Sequence, residues 1–177
     1  MRAKFIFFIP LFFISFYLWA DSIEEEILRK GTACYNKEMY EDAIEQFSIA
    51  IKNNPGCGEA YYKKGLVYYK LGDYDLALYN YNKAIQYYIK HAEVYCNRGR
   101  AYAAKKDYGQ ALADYNKAIE MKPDFTTAYE ERANVYFYNK DYDKAWGDVH
   151  KVEELGYRVN PGFLRMLKKA CGQEKNN

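Results

Sequence analysis

The chain has almost no charge imbalance. It carries 26 Lys+Arg against 24 Asp+Glu in 177 residues. The two surplus cations, Arg2 and Lys4, stand at the start, so residues 21–177 hold 24 of each sign. A nucleic-acid-binding protein normally presents a basic excess clustered on one face. None is present, which argues against that class and against long-range steering of a strongly charged partner. Histidine is also scarce, with His91 and His150 the only two. There is no H-E-x-x-H helix, no glycine-rich phosphate loop and no serine elbow. The acids are numerous but fall at helix starts and exposed faces, where solvation accounts for them. The reading is a non-catalytic protein with no metal and no cofactor.

Two further absences bear on compartment and membrane. The four cysteines, Cys34, Cys57, Cys96 and Cys171, include no C-x-x-C pair, so neither a zinc site nor a thioredoxin-like motif is suggested. Export would permit disulfides. However, Cys34 falls on an apolar helix face, Cys57 in a turn and Cys96 on a later helix, and a bridge needs Cα atoms within about 7 Å. Four free thiols are the favoured reading. No apolar run reaches the roughly 20 residues that span a bilayer. The longest extends only from Phe5 to Ala20 and contains Pro10. A basic start, a short apolar stretch and the small Ala20 describe a secretory signal peptide. Cleavage after Ala20 is one reading and retention of residues 1–20 as an anchor the other. Ser22 followed by Glu25 fits a capping box, which puts a helix start directly after that junction.

What the chain has in abundance is repetition. Gly31, Gly65, Gly99 and Ala133 recur at one constant interval, and Tyr40, Tyr74, Tyr108 and Tyr142 recur at the same one. Ala43, Ala77, Ala111 and Ala145 form a third series, and Phe47, Tyr81, Tyr115 and Val149 a fourth. A fixed period of this kind marks units that bury their apolar faces only by stacking on neighbours. In residues 58–91, Tyr61, Gly65 and Tyr68 fall on one face of a helix. Leu71-Gly72-Asp73 breaks the pattern, and Tyr74, Ala77, Tyr81 and Ala84 resume it. Each unit is therefore a helical hairpin, with Gly65 and Ala77 small enough for close approach of its helices. Pro55 and Pro123 mark joints after the second helices. Ile89 replaces that proline in the second unit, predicting a longer or differently bent helix there. In the last unit Gly147 is expected to interrupt the second helix.

The words Gly65-Leu66-Val67-Tyr68, Gly72-Asp73-Tyr74 and Ala77 to Tyr81 resemble the tetratricopeptide repeat family. The resemblance covers Glu24 to about Val159 in one register. It implies an all-α solenoid of four helix-turn-helix units, residues 24–57, 58–91, 92–125 and 126–159, with a concave groove. After them Asn160-Pro161 reads as a helix start, with Phe163, Leu164 and Leu167 as an apolar stripe. Residues 160–172 are thus expected to form a capping helix and residues 173–177 a disordered tail.

In this family the groove is lined by the exposed side of each first helix. By register this gives Leu28, Thr32 and Tyr35; Tyr62, Leu66 and Tyr69; Cys96, Arg100 and Ala103; and Glu130, Asn134 and Phe137. The strongest candidates for gripping a partner are Tyr35, Tyr62, Leu66, Tyr69, Arg100, Glu130, Asn134 and Phe137, a mixture of aromatic anchors, one cation and hydrogen-bonding groups that suits a peptide. Twelve of the 21 tyrosines are read as framework. Some family members grip a C-terminal carboxylate with a Lys, Asn and Arg clamp. The matching positions here supply Glu93 or Glu131 in place of cations, so that clamp is rejected. The expected function is a scaffold holding a protein or peptide partner, exported to a bacterial periplasm or secreted. The alternative is a self-associating scaffold tethered at the inner membrane by residues 5–20, with Tyr79, Tyr87 and Tyr88 mediating contact.

Overall fold

A computed structural model describes residues 11–87 and 91–172, with side chains described from residue 23 onward. Among these residues there are nine helices and no strand: α1 (Leu11–Asn36), α2 (Tyr40–Asn53), α3 (Gly58–Leu71), α4 (Tyr74–Gln86), α5 (Ala92–Ala104), α6 (Tyr108–Met121), α7 (Thr126–Tyr138), α8 (Tyr142–Glu154) and α9 (Pro161–Ala170). The expected all-α solenoid is what forms. Within each hairpin the two helices pack together, and each second helix then packs on the first helix of the next unit.

A glycine facing a ring sets the spacing inside each of the first three hairpins. A Cβ built on Gly65 would stand 2.7 Å from Cδ1 and Cε1 of Tyr81. On Gly31 it would stand 2.6 Å from Phe47 Cε1, and on Gly99 it would stand 2.8 Å from Tyr115 Cε1 and 3.2 Å from the Ala111 carbonyl oxygen. Phe47, Tyr81 and Tyr115 are fully buried. In the fourth hairpin both partners change, to Ala133 and Val149, and both are buried in one cluster. One side gains a methyl and the other loses a ring, so the pair exchanges volume across the same interface.

The turns repeat as well. Glu38 (φ 60°), Gly72 (φ 80°), Lys106 (φ 62°) and Lys140 (φ 64°) occupy the same position of the four hairpins, all in the left-handed region. Only Gly72 adopts it without strain. The amide of the next residue reaches back to close the first helix, as in Asp73 N to Tyr68 O at 2.9 Å and Asp107 N to Tyr102 O at 2.9 Å, a Schellman arrangement. The Asp73 carboxylate then accepts from Leu76 N at 3.0 Å and caps the second helix.

Between hairpins, Ala60, Val94 and Ala128 face the preceding unit together with Val67, Ala101 and Val135, all buried. A polar clasp reinforces two of these joints. Arg98 forks onto Asp114 (Nε–Oδ2 2.8 Å, Nη2–Oδ1 2.6 Å) and reaches Asn82 Oδ1 at 2.7 Å. Arg132 repeats it on Asp148 and Asn116. Each arginine so ties its own hairpin to the previous one. In the second hairpin the same positions hold Lys64, Asn80 and Ser48, with Lys64 Nζ 2.9 Å from Ser48 Oγ.

Some expectations are corrected. α1 runs unbroken from Leu11, so Ser22 lies inside a helix and does not start one; the apolar run supplies helix-compatible residues upstream of it. α8 continues through Gly147, where an added Cβ would meet nothing. An exposed glycine weakens a helix by only about 1 kcal/mol. α4 is not longer than its equivalents: it ends at Gln86. Ile89, Tyr88, residues 1–10 and the tail 173–177 lie outside the described residues. The helix at 161–170 begins as expected, with Asn160 Oδ1 accepting from Gly162 N at 2.8 Å. It also keeps the repeat register, since Phe163 falls at the position of Tyr129 and Leu167 at that of Ala133. Leu167, fully buried, packs in one cluster with Val149 and Val152 of the fourth hairpin. No described helix is long and apolar enough to cross a membrane.

Gly65→Ala should cost about 1–3 kcal/mol by overpacking against Tyr81. In a Tyr81→Val background the penalty should fall, because that pair matches Ala133 and Val149. A double-mutant cycle by urea denaturation measures the difference.

Candidate functional site

The first helices line one side of the stack. α1, α3, α5 and α7 touch their neighbours in that series directly, while consecutive second helices make no comparable contact. The stack therefore curves with the first helices inside. Along this inner face the candidates separate into three groups.

The first two repeats contribute an aromatic stretch. Tyr35 packs on Tyr40 with ring centroids 6.1 Å apart, and Tyr69 on Tyr74 at 5.6 Å. Tyr62, Leu66 and Tyr69 cover the buried Tyr81, with the Tyr62 and Tyr81 centroids 6.2 Å apart. Asn97 Nδ2 donates to Tyr62 Oη at 2.9 Å and links the second repeat to the third. The Tyr81 and Tyr115 hydroxyls are buried with no hydrogen-bond partner among the described residues. Burial pushes both phenols far above their ordinary range.

Arg100 is the centre of the second group. Its guanidinium lies 5.2 Å from the Tyr69 ring centroid and its Nε is 3.0 Å from Glu131 Oε1. One side chain thus joins the second, third and fourth repeats. Tyr69, Arg100, Glu131 and Asn134 line a hollow of about 260 Å³ with Tyr108 and Tyr138. Burial pushes the Glu131 carboxyl up, and Arg100 opposes that shift without cancelling it.

The third group meets the capping helix. Asn134 Nδ2 donates to the Glu130 carbonyl at 3.0 Å. Phe137 packs edge-on against Phe163 of α9, centroids 5.8 Å apart. Glu130, Glu131 and Asn134 line a second hollow, of about 280 Å³, with Val149, Val152 and Phe163. Glu131 and Asn134 border both hollows, which lie side by side as a trough along the inner face from Tyr69 to α9.

Register alone misplaced two inner-face residues. Leu28 and Cys96 are buried in the core. Burial pushes the Cys96 thiol up to about 12 and Cys57 to about 11, so neither is a thiolate nucleophile at neutral pH. Asn97 and Glu131 belong to the site, but Glu131 entered the sequence analysis only as a mismatch to a carboxylate clamp and Asn97 was not among the inner-face residues that register picked out. Their signal was their position, one residue beyond Cys96 and Glu130. His91 lies at the start of α5, and His150 packs on Trp146 of α8 at 5.5 Å, so the two histidines do not converge.

The fold and this trough define a helical-hairpin solenoid. Two tetratricopeptide repeat profiles match residues 28–91 and 92–125, together more than half of the sequence. The chain belongs to the tetratricopeptide repeat family. The fourth hairpin and α9 lie beyond the matched residues. Among solved structures the chain is similar to MamA, at 25% identity and a TM-score of 0.71, over 75% of this chain and 78% of that one. It is similar in fold to YrrB, a protein with an unusual peptide-binding site, at 18% identity and 0.70, over 85% and 77%. A tetratricopeptide repeat protein from Parabacteroides merdae gives 22% identity and 0.74, over 85% and 60%. No curated protein matches the chain.

Glu130 yields a pH-dependent prediction. Burial alone raises its pKa, with no cation offsetting it. A folded-state pKa above the unfolded value, about 4.3 for Glu, means the carboxyl does not weaken the fold below that value. Stability is then lost as pH rises through the raised one. Glu130→Gln should match the wild type near pH 3.5 and be more stable at pH 7, by about 0.5 kcal/mol for this partly exposed group. Urea midpoints at the two pH values check it.

Proposed function

We propose that this protein is a non-catalytic scaffold that holds a segment of a partner polypeptide in the trough along its first helices. One observation carries this reading: Tyr69, Arg100, Glu131 and Asn134, drawn from three repeats, share one hollow. An aromatic wall beside a fixed ion pair offers a peptide both apolar area and hydrogen-bonding groups, the usual composition of a binding centre. Tyr62 and Leu66 extend the wall toward the first repeat. The peptide-binding site of YrrB supports the assignment by similarity of fold. The signal-like composition of residues 1–20 supports export to a bacterial cell envelope.

The test is capture from an envelope fraction by the wild type beside an Arg100→Glu/Glu131→Arg pair. The swap keeps an ion pair across the third and fourth repeats while reversing its direction, and circular dichroism should show an unchanged melt. A protein retained by the wild type and at least tenfold depleted on the swapped variant is the expected result. Equal retention by both would contradict the trough, and recovery of the protein alone would favour self-association.

A further inference from the structure

The hollow between the fourth hairpin and α9 differs chemically from the rest of the trough. Its floor is apolar, made by Val149, Val152, Val159 and Phe163, and its rim carries Glu130 and Glu131. No basic residue lines it. Asp148 also borders it, but that carboxylate is already held by both arms of Arg132. Glu131 shares one contact with Arg100 at 3.0 Å. Glu130 has no ion-pair partner among the described residues; its burial acts on it without any opposing cation.

The repeat itself serves as an internal control. The positions equivalent to Glu130 in the other units are Leu28, Tyr62 and Cys96, all uncharged. Those equivalent to Glu131 are Arg29, Lys63 and Asn97. The paired acids are therefore peculiar to the fourth unit, where the solenoid meets its cap, and the framework does not require them. A partly desolvated carboxylate weakens the fold, so its presence at a cleft points to a partner that neutralises it. A volume of about 280 Å³ stands at the lower edge of the roughly 300–1,000 Å³ of small-molecule sites and suits one long side chain. Nowhere among the described residues do three His, Cys, Asp or Glu groups converge as metal ligands.

We infer that this cleft receives a lysine or arginine side chain of the partner polypeptide, its aliphatic stem on Val149, Val152 and Phe163 and its cationic head at Glu130 and Glu131. Long basic side chains bury their stems on apolar surface while keeping the charge at a polar rim, and a charge-assisted bond to a carboxylate is among the stronger polar contacts. The inference rests on the trough being a polypeptide site and adds to it a position-specific demand.

Random decapeptides displayed on phage, selected on the full chain, test it. Recovered peptides should share a basic residue at one position. For one such peptide, replacing that residue by norleucine should weaken binding to the wild type about tenfold, as loss of one charged hydrogen bond implies. The same replacement should change binding to Glu130→Gln less than about twofold. Peptides without a shared basic position, or an equal norleucine effect on both proteins, would overturn the basic pocket and leave the trough standing. Recovery of no peptide would overturn both. A thermal melt of Glu130→Gln at or above that of the wild type establishes that the variant is folded.

Discussion

A glycine on one helix against an aromatic ring on the next sets the separation of the helices in three of the four hairpins. Gly31, Gly65 and Gly99 leave no room for a methyl group beside Phe47, Tyr81 and Tyr115. That close approach brings each ring under its first helix and leaves the opposite side of the helix clear. Stacking then follows from small residues such as Ala60, Val94 and Ala128, and the inner face follows from stacking. The trough is therefore a consequence of a packing distance repeated from unit to unit. In the fourth unit, where Ala133 and Val149 take the places of the glycine and the ring, the inner face carries Glu130 and Glu131 where the other units have uncharged or basic residues.

The ends of the array depend on the same geometry. α9 enters in the register of the first helix of a further unit, and Leu167 packs on Val149 and Val152 of the fourth hairpin. Phe163 closes over Phe137. A surface that would accept another hairpin is converted into a cleft bounded by one helix, and the side chains specific to the fourth repeat border it. The Arg98–Asp114 and Arg132–Asp148 clasps hold the third and fourth hairpins in register, so the residues around Arg100 and Asn134 stand on a firm base. Removing one member of such a buried pair strands the other charge, at a typical cost of about 3–5 kcal/mol.

The solenoid was legible in the sequence because its determinants are local. Glycine, alanine and tyrosine at fixed spacing report helix faces, and Asn160-Pro161 reports a helix start. The trough was legible only in part. Tyr69, Arg100 and Asn134 followed from register, but Leu28 and Cys96 share that register and are buried, since the depth of a side chain depends on its neighbours across the stack. The clasp was invisible for a related reason: Arg98 and Asp114 stand on different helices and meet only after the hairpin closes. Ser22 misled because a capping box is a local signal, and the apolar residues before it extend the helix. Gly147 misled because an exposed glycine weakens a helix without breaking it.

Everything proposed for function requires a partner polypeptide to lie on the inner face. Photo-crosslinking reads that contact out, with a photoreactive residue placed at Leu66, at Asn134 or at the outward-facing, 54% exposed Tyr79. Crosslinks to partner from Leu66 and Asn134, and none from Tyr79, are the expected result. Crosslinks from Tyr79 alone would contradict it and place the contact surface on the second helices.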